Sequence, residues 1–126
     1  MNMLIAVAVG GAVGAVARYK INGLMAGWLG TGFPWGTLTV NLFGCFLMGV
    51  LVETFALKLE VAPEVRALLV TGFLGALTTF SAFSLDVAVL SGREAYGPAF
   101  LYVGVSVIGS LAAIFLAMRL TRLVLA

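Results

Sequence analysis

The sequence predicts an all-α membrane protein with four transmembrane helices per subunit. Of its 126 residues, 63% are hydrophobic and only 10% are charged, whereas soluble domains carry about 25% charged residues. Four apolar runs cover residues 3–29, 37–57, 65–90 and 98–118. Each run reaches the roughly 20 residues that a helix needs to cross the hydrocarbon core of a bilayer.

The segments between these runs are too short to hold another domain, so residues 1–126 are expected to form a single four-span membrane domain. Pro34, Pro63 and Pro98 fall in or next to the three connections. No Lys or Arg precedes the first apolar run, so we expect this run to be retained as a first helix and not cleaved as a signal peptide. Both termini should then lie on one side of the membrane.

Basic residues are almost evenly divided between the two sides of the predicted bundle. The side with the termini carries four and the other side carries two, or three if Arg18 lies near a helix end: Lys58, Arg66, Arg119 and Arg122 against Lys20, Arg93 and Arg18. Since Lys and Arg in short loops set orientation, this balance predicts insertion in both orientations. Inverted copies could then pair.

Small residues on the first two helices predict close helix contacts. Gly10 and Gly14 form a small-xxx-small pair, and Gly44 and Gly49 give the second helix a thin side, as in tightly packed membrane helices. These surfaces could pack within one subunit or between subunits. Because four helices are too few to enclose an aqueous pore, we expect a homodimer.

A polar cluster interrupts the third apolar run at its centre. The sequence GALTTFSAFS spans Gly75–Ser84, and the midpoint of the run falls between Leu77 and Thr78. Hydroxyl side chains that bond to nearby backbone groups compete with the helix, so we predict a break in the third helix at mid-membrane, whose freed carbonyls could coordinate a cation. The alternative is a continuous helix in which Ser and Thr bond one turn back.

Two further patterns place anion-compatible groups near this cluster. Phe80 and Phe83 are three residues apart and share a helix face; such pairs usually belong to a core, but aromatic ring edges are electropositive and Ser81 borders them. On the fourth helix, a hydroxyl recurs every four residues and stops before Ile114, at Tyr102, Ser106 and Ser110. A stripe of this kind can line an ion path.

Single polar residues in the other spans have two interpretations each. Asn41 can donate two hydrogen bonds from the second helix, or can join helices together. Arg18 is expected to extend towards the interface, where it could also attract anions to a vestibule. Glu53 and Asp86 could pair with Arg or lie at the interface, and Cys45 is expected to pack as a small apolar residue.

Catalysis and nucleic-acid binding have little support in the sequence. Histidine is absent, no pair of acidic residues has the spacing of a metal site, and no glycine-rich loop follows a strand. The formal net charge of +2 is too small and too dispersed for a nucleic-acid partner. We therefore expect a membrane conduit and not an enzyme.

Taken in order, these motifs resemble the Fluc, or CrcB, family of bacterial fluoride channels. The resemblance spans nearly the whole chain and rests on the hydroxyl stripe of the fourth helix together with three segments: GGAVGAVARY (Gly10–Tyr19), GTLTVNLFGCFLMG (Gly36–Gly49) and GFLGALTTFSAFS (Gly72–Ser84).

The resemblance implies passive fluoride export across the bacterial inner membrane by an antiparallel dual-topology homodimer in membrane lipid. It implies a central structural sodium ion (Na+) held by the backbone carbonyls of Gly75 and Thr78. It also implies that Arg18 is the family's first-helix arginine and that the fluoride pathway is formed by Asn41, Phe80, Ser81, Phe83, Tyr102, Ser106 and Ser110.

Two positions depart from the pattern of the family. Ala82 stands where the family usually has a second hydroxyl residue. Ile114 stands where a further hydroxyl residue would extend the stripe of the fourth helix.

Two other functions stay open. One is a small dual-topology exporter coupled to protons, which needs a carboxylate embedded in the membrane. The other is a non-transporting assembly subunit, which needs small-residue faces but no line of donors.

Overall fold

The computed structural model describes residues 2–126, and this part of the chain contains helices and loops but no strand. Helix α1 is Met3–Leu29, α2 is Trp35–Leu57, and α5 is Tyr96–Leu125. Between α2 and α5, the third span Pro63–Gly92 is divided into α3 (residues 63–77) and α4 (Phe80–Gly92). All four spans are long and apolar enough to cross a membrane, which confirms the predicted fold class of the subunit.

The predicted break in the third span is confirmed at Thr78 and Thr79. Both residues are extended, with φ −85° and ψ 151° at Thr78 and φ −152° and ψ 120° at Thr79. The Thr79 hydroxyl then accepts a hydrogen bond from the Ala82 N–H at 3.0 Å, so Thr79 acts as the N-cap of α4. Hydroxyls bonded one turn back also occur, since Ser84 Oγ donates to the Phe80 carbonyl at 3.0 Å.

Helix α3 is itself irregular before the break. It consists of a first turn Pro63–Arg66, a π-helical segment Ala67–Leu74 and a last α-helical turn Gly75–Leu77. A π-helical segment has more residues per turn than an α-helix and often occurs at functional sites. The segment lies against α1.

The glycine pairs of α1 and α2 pack within the subunit. The sequence had left open whether these surfaces pack within one subunit or between subunits. A Cβ at Gly10 or Gly14 would overlap the backbone carbonyls of Leu68 and Phe73 in α3. A Cβ at Gly44 would overlap the methyl group of Thr78. A Cβ at Gly49 would overlap the Ile114 carbonyl in α5. Glycine therefore allows α1 to approach the backbone of α3, and α2 to approach Thr78 and the backbone of α5.

The remaining packing holds α2 along α5, and α4 beside α5. One buried cluster comprises Leu38, Phe83, Leu90, Ala99 and Tyr102, and a second comprises Val40, Leu74 and Leu77. Large apolar side chains on the outside, such as Ile108 and Phe115, are exposed in the subunit, as expected of surfaces that contact lipid or another subunit.

An ion pair joins α2 and α5 near the end of the bundle that carries both termini. Arg122 Nη2 lies 2.8 Å from Glu53 Oε1, and Arg122 Nε donates to the same oxygen at 2.8 Å. Glu53 is only 4% exposed. Of the two roles considered for Glu53, the structure therefore shows the pair with Arg.

Candidate functional site

Asn41 holds the broken segment from the neighbouring helix. Its Oδ1 accepts from the Thr79 N–H at 2.8 Å, and its Nδ2 donates to the Thr79 carbonyl at 3.1 Å. These two bonds replace the helical partners that an extended residue lacks, which lipid cannot supply. The amide carries two N–H groups, so one remains for another acceptor.

The break frees the carbonyls of Gly75 and Thr78 from helical hydrogen bonds. In a continuous helix the Thr79 N–H would donate to Gly75 and the Ala82 N–H to Thr78. Here the Thr79 N–H donates to Asn41 and the Ala82 N–H donates to the Thr79 hydroxyl. The two carbonyls that the family resemblance implied as sodium ligands therefore lose their helical donors.

Arg18 donates a hydrogen bond to another backbone carbonyl at the same break. Its Nε donates to the Ala76 carbonyl at 3.0 Å, so its side chain turns towards α3, whereas the sequence led us to expect extension towards the interface. The difference has a physical reason, because the last carbonyls of a helix carry partial negative charge and offer a cation a partner within the span.

A cavity of about 520 Å³ opens beside the break between α2, α4 and α5. Five of the predicted pathway residues line it, as do both Gly75 and Thr78. Its polar side chains come from Asn41 and from four residues with hydroxyl groups. The described residues that line it are Asn41, Cys45, Gly75, Thr78, Thr79, Phe80, Phe83, Ser106, Val107, Ser110 and Leu111.

Ser106 contributes a buried hydroxyl that has no partner within residues 2–126. The residue is 6% exposed, and its Oγ makes no hydrogen bond there. Buried polar atoms are almost always paired, with protein, water or a ligand. Ser106 is one of the residues that line the cavity, so its hydroxyl lies beside the cavity without a partner from the described residues.

Phe80 and Phe83 form the aromatic part of the cavity wall. Their ring centroids are 5.4 Å apart and the rings are inclined by 48°. Phe80 is 77% exposed and Phe83 only 8%, so one ring lies on the surface of the subunit and the other in its core. Inclined rings of this kind present edges as well as faces to the space between them.

Comparison with known proteins agrees with this arrangement. Residues 5–118 match the sequence profile of a family described as CrcB-like protein, Camphor Resistance (CrcB). The chain belongs to the CrcB family. It is 50% identical to a Fluoride-specific ion channel FluC of Rhodospirillum centenum over 97% of both chains. It is also 51% identical to a protein of the same name from Chelativorans sp., over 99% of this chain and all of the relative.

Two predicted pathway residues of this CrcB-family chain do not line the cavity. Tyr102 is fully buried, and its hydroxyl donates to Asp86 Oδ2 at 2.9 Å. Ser81 is exposed on the subunit surface, with its Oγ 3.2 Å from the Thr79 hydroxyl. Both lie next to cavity residues, since the Tyr102 ring is 5.2 Å from that of Phe83.

Tyr102 lies between one lining residue of this cavity, Phe83, and one lining residue of a second cavity, Asp86. The second cavity, of about 280 Å³, lies under the loop between α1 and α2 and is lined in part by Asn22, Thr37, Asp86 and Arg93. Tyr102 contacts Phe83 on one side and Asp86 on the other. In this CrcB-family chain, Asp86 is therefore placed between the mid-membrane cavity and the end of the bundle, a position that sequence reasoning did not assign to it.

The lining residues that the sequence did not identify as part of the site are the apolar Val107 and Leu111 together with Thr79 and Cys45. Cys45 lies one helical turn after Asn41, so the spacing of four residues was a signal for a shared face. Thr79 lies within the polar cluster, but its role as the partner of Asn41 depends on how α2 meets α4.

Proposed function

We propose that this protein is a fluoride-selective ion channel that passes F− passively across the membrane. The observation that carries the proposal is the mid-membrane cavity, in which the amide of Asn41 and the hydroxyls of Ser106 and Ser110 converge beside Phe80 and Phe83. Its relatives from Rhodospirillum centenum and Chelativorans are named fluoride-specific ion channels.

The chemistry of the cavity suits a small, strongly hydrated anion. Such an ion enters only if donors replace its water, and it leaves only if those donors hold it weakly. An amide N–H, hydroxyls and aromatic ring edges satisfy both conditions because none carries a full positive charge. Among the described residues, none that lines the cavity is Lys or Arg.

We assign the pathway to residues of α2, α4 and α5. Asn41, Ser106 and Ser110 donate to the ion, and Phe80 and Phe83 present ring edges. Ser81 and Tyr102 extend the path beyond the cavity, the latter towards Asp86. Arg18 adds positive potential beside the break, at the Ala76 carbonyl.

The working form that we propose is an antiparallel, dual-topology homodimer. Gly75, Phe80 and Ser81 are exposed on the subunit surface at the middle of the third span, where lipid would leave polar groups unsatisfied. A second, inverted copy would cover this surface and meet it at the same depth. The nearly balanced distribution of basic residues favours insertion in both orientations.

We also propose a structural Na+ at the centre of this dimer. Gly75 and Thr78 each contribute a carbonyl released from helical bonding, and unwound carbonyls of this kind coordinate sodium in other membrane proteins. Oxygen ligands without formal charge suit a monovalent cation. Replacing Na+ by N-methylglucamine during purification should lower the thermal stability of the dimer, and restoring Na+ should recover it; equal melting in both buffers would contradict the assignment.

The chain is a multi-pass membrane protein, and we propose the bacterial inner membrane as its location, where the channel would lower cytoplasmic fluoride. The test is fluoride efflux from liposomes that contain the purified protein, followed with a fluoride electrode under a valinomycin-induced potassium potential. Rapid F− efflux and no Cl− efflux are expected. Fluoride movement that requires a proton gradient would favour the coupled exporter instead, and no movement would favour the assembly subunit.

A further inference from the structure

Cys45 lines the same cavity as the proposed pathway residues but has not been assigned to the pathway. It is half-buried and lines the mid-membrane cavity. It follows Asn41 by four residues in α2, so the two side chains lie one above the other on the same face of the helix. The thiol therefore extends the cavity wall one turn beyond the amide.

The opposite wall of the cavity has a matching arrangement. Ser106 and Ser110 are also four residues apart in α5, and both line the cavity. The Ser106 hydroxyl is buried without a partner within the described residues, whereas buried polar atoms are almost always paired with protein, water or a ligand. Two rows of small polar side chains, Asn41 with Cys45 and Ser106 with Ser110, thus border one space.

The backbone beside Cys45 is held firmly. Gly44 packs so closely against Thr78 that a Cβ would overlap its methyl group, and Asn41 is bonded to Thr79 through both amide atoms. With α2 fixed at these two points, a larger side chain at position 45 cannot be accommodated by moving the helix. It would project into the cavity.

We propose that Cys45 is a further residue of the ion pathway, where its small size keeps the cavity open one turn beyond Asn41 and its thiol is a weak donor to the ion. The inference deepens the proposed function and rests on it. A thiol suits both roles because cysteine packs as a small apolar residue and still carries an S–H group.

The first test compares Cys45→Leu with Phe43→Leu in the liposome efflux assay. Leucine adds two heavy atoms at position 45, whereas Phe43 lies on the exposed side of α2 and serves as the matched control. Cys45→Leu should lower fluoride flux by about tenfold or more, because the larger side chain narrows the cavity and a rise of about 1.4 kcal/mol in the barrier to ion passage lowers a rate tenfold. Phe43→Leu should stay within about threefold of the wild-type flux, a change in barrier height of less than about 1 kcal/mol.

A Cys45→Leu protein that folds and conducts at the wild-type rate would overturn the proposal. Failure of the wild-type protein to conduct fluoride would instead contradict the channel function, so the two failures can be told apart. Monodispersity and the helical circular dichroism signal of each variant establish that it is folded.

A second measurement tests the pathway role of Cys45 even if the Cys45→Leu variant does not fold. Cys45 is the single cysteine of the chain, so a small methanethiosulfonate reagent can modify only this thiol: the thiolate attacks the reagent sulfur, a mixed disulfide forms and methanesulfinate leaves. Intact mass reports the labelled fraction. Labelling that stops fluoride flux in the wild type, with Cys45→Ala insensitive, supports the proposal.

Two outcomes of this measurement would overturn it. One is complete labelling with unchanged flux. The other is a thiol that stays unlabelled in the folded protein but reacts fully in detergent-denatured protein, since a thiol in the pathway must be reachable from water.

Discussion

Replacement of Asn41 by Ala should destabilise the break of the third span and strongly lower fluoride flux. The amide makes two hydrogen bonds to the backbone of Thr79, at 2.8 and 3.1 Å. Each buried backbone group left without a partner costs about 1–3 kcal/mol, so the two together cost about 2–6 kcal/mol. That is a large part of the roughly 5–15 kcal/mol by which most proteins are stable.

The lower end of this range already has a measurable consequence. If the conducting geometry at Thr79 becomes less favourable by about 2 kcal/mol, its population falls by about 30-fold. We expect fluoride efflux from liposomes to fall by at least this factor, and thermal unfolding in detergent to shift to a lower temperature. Loss of the donor to the ion would lower the flux further.

Asn22 provides the matched control. Its Oδ1 is buried but has no hydrogen-bond partner within residues 2–126, so Asn22→Ala removes the same group without breaking a bond. This variant should unfold at or above the wild-type temperature. If Asn41→Ala and Asn22→Ala had the same stability and the same flux, the idea that Asn41 holds the break would be wrong.

Three other substitutions test separate parts of the structure. Ala82→Thr should raise fluoride flux and leave the exclusion of chloride intact, since it adds a hydroxyl beside the pathway; unchanged flux in the efflux assay would argue against a pathway role for a hydroxyl there. Gly14→Ala should lower the melting temperature and the yield of folded protein, because the added methyl group overlaps the Phe73 carbonyl; a stable variant would mean that α1 can move away from α3. Glu53→Gln should lower the melting temperature less than Asn41→Ala does, because its partner Arg122 is largely exposed and can be hydrated; a larger loss would show that the pair is essential to the fold.

The number of spans and the position of the break could be predicted from the sequence because both depend on local chemistry. Long apolar runs identify spans wherever they occur, and Thr78 and Thr79 interrupt a helix through groups within their own turn. The structure places the break within one residue of the midpoint that the sequence predicted. The boundaries of the spans were less well determined, and α5 extends to Leu125, beyond the apolar run.

The contacts between helices could not be predicted, because they depend on how the spans are rotated and on their relative depth. Arg18 was expected near the interface, but the direction of its side chain depends on the free carbonyl of Ala76 in another helix. The glycines of α1 could equally have faced a second subunit. Cys45 was taken for an ordinary packing residue because its distance from Ser106 is set by the contact between α2 and α5.

The interruption at Thr78 and Thr79 sets two opposite electrostatic poles close together within the membrane. The carbonyl end of α3 is electronegative, and the amide end of α4, a helix of 13 residues, is electropositive, each equivalent to about half an elementary charge. Peptide groups can thus attract ions of either sign at nearly the same depth, in addition to the positive charge of Arg18 at the Ala76 carbonyl. Because peptide groups do not titrate, this pattern of potential stays constant over the pH range in which carboxylates and histidines change their charge.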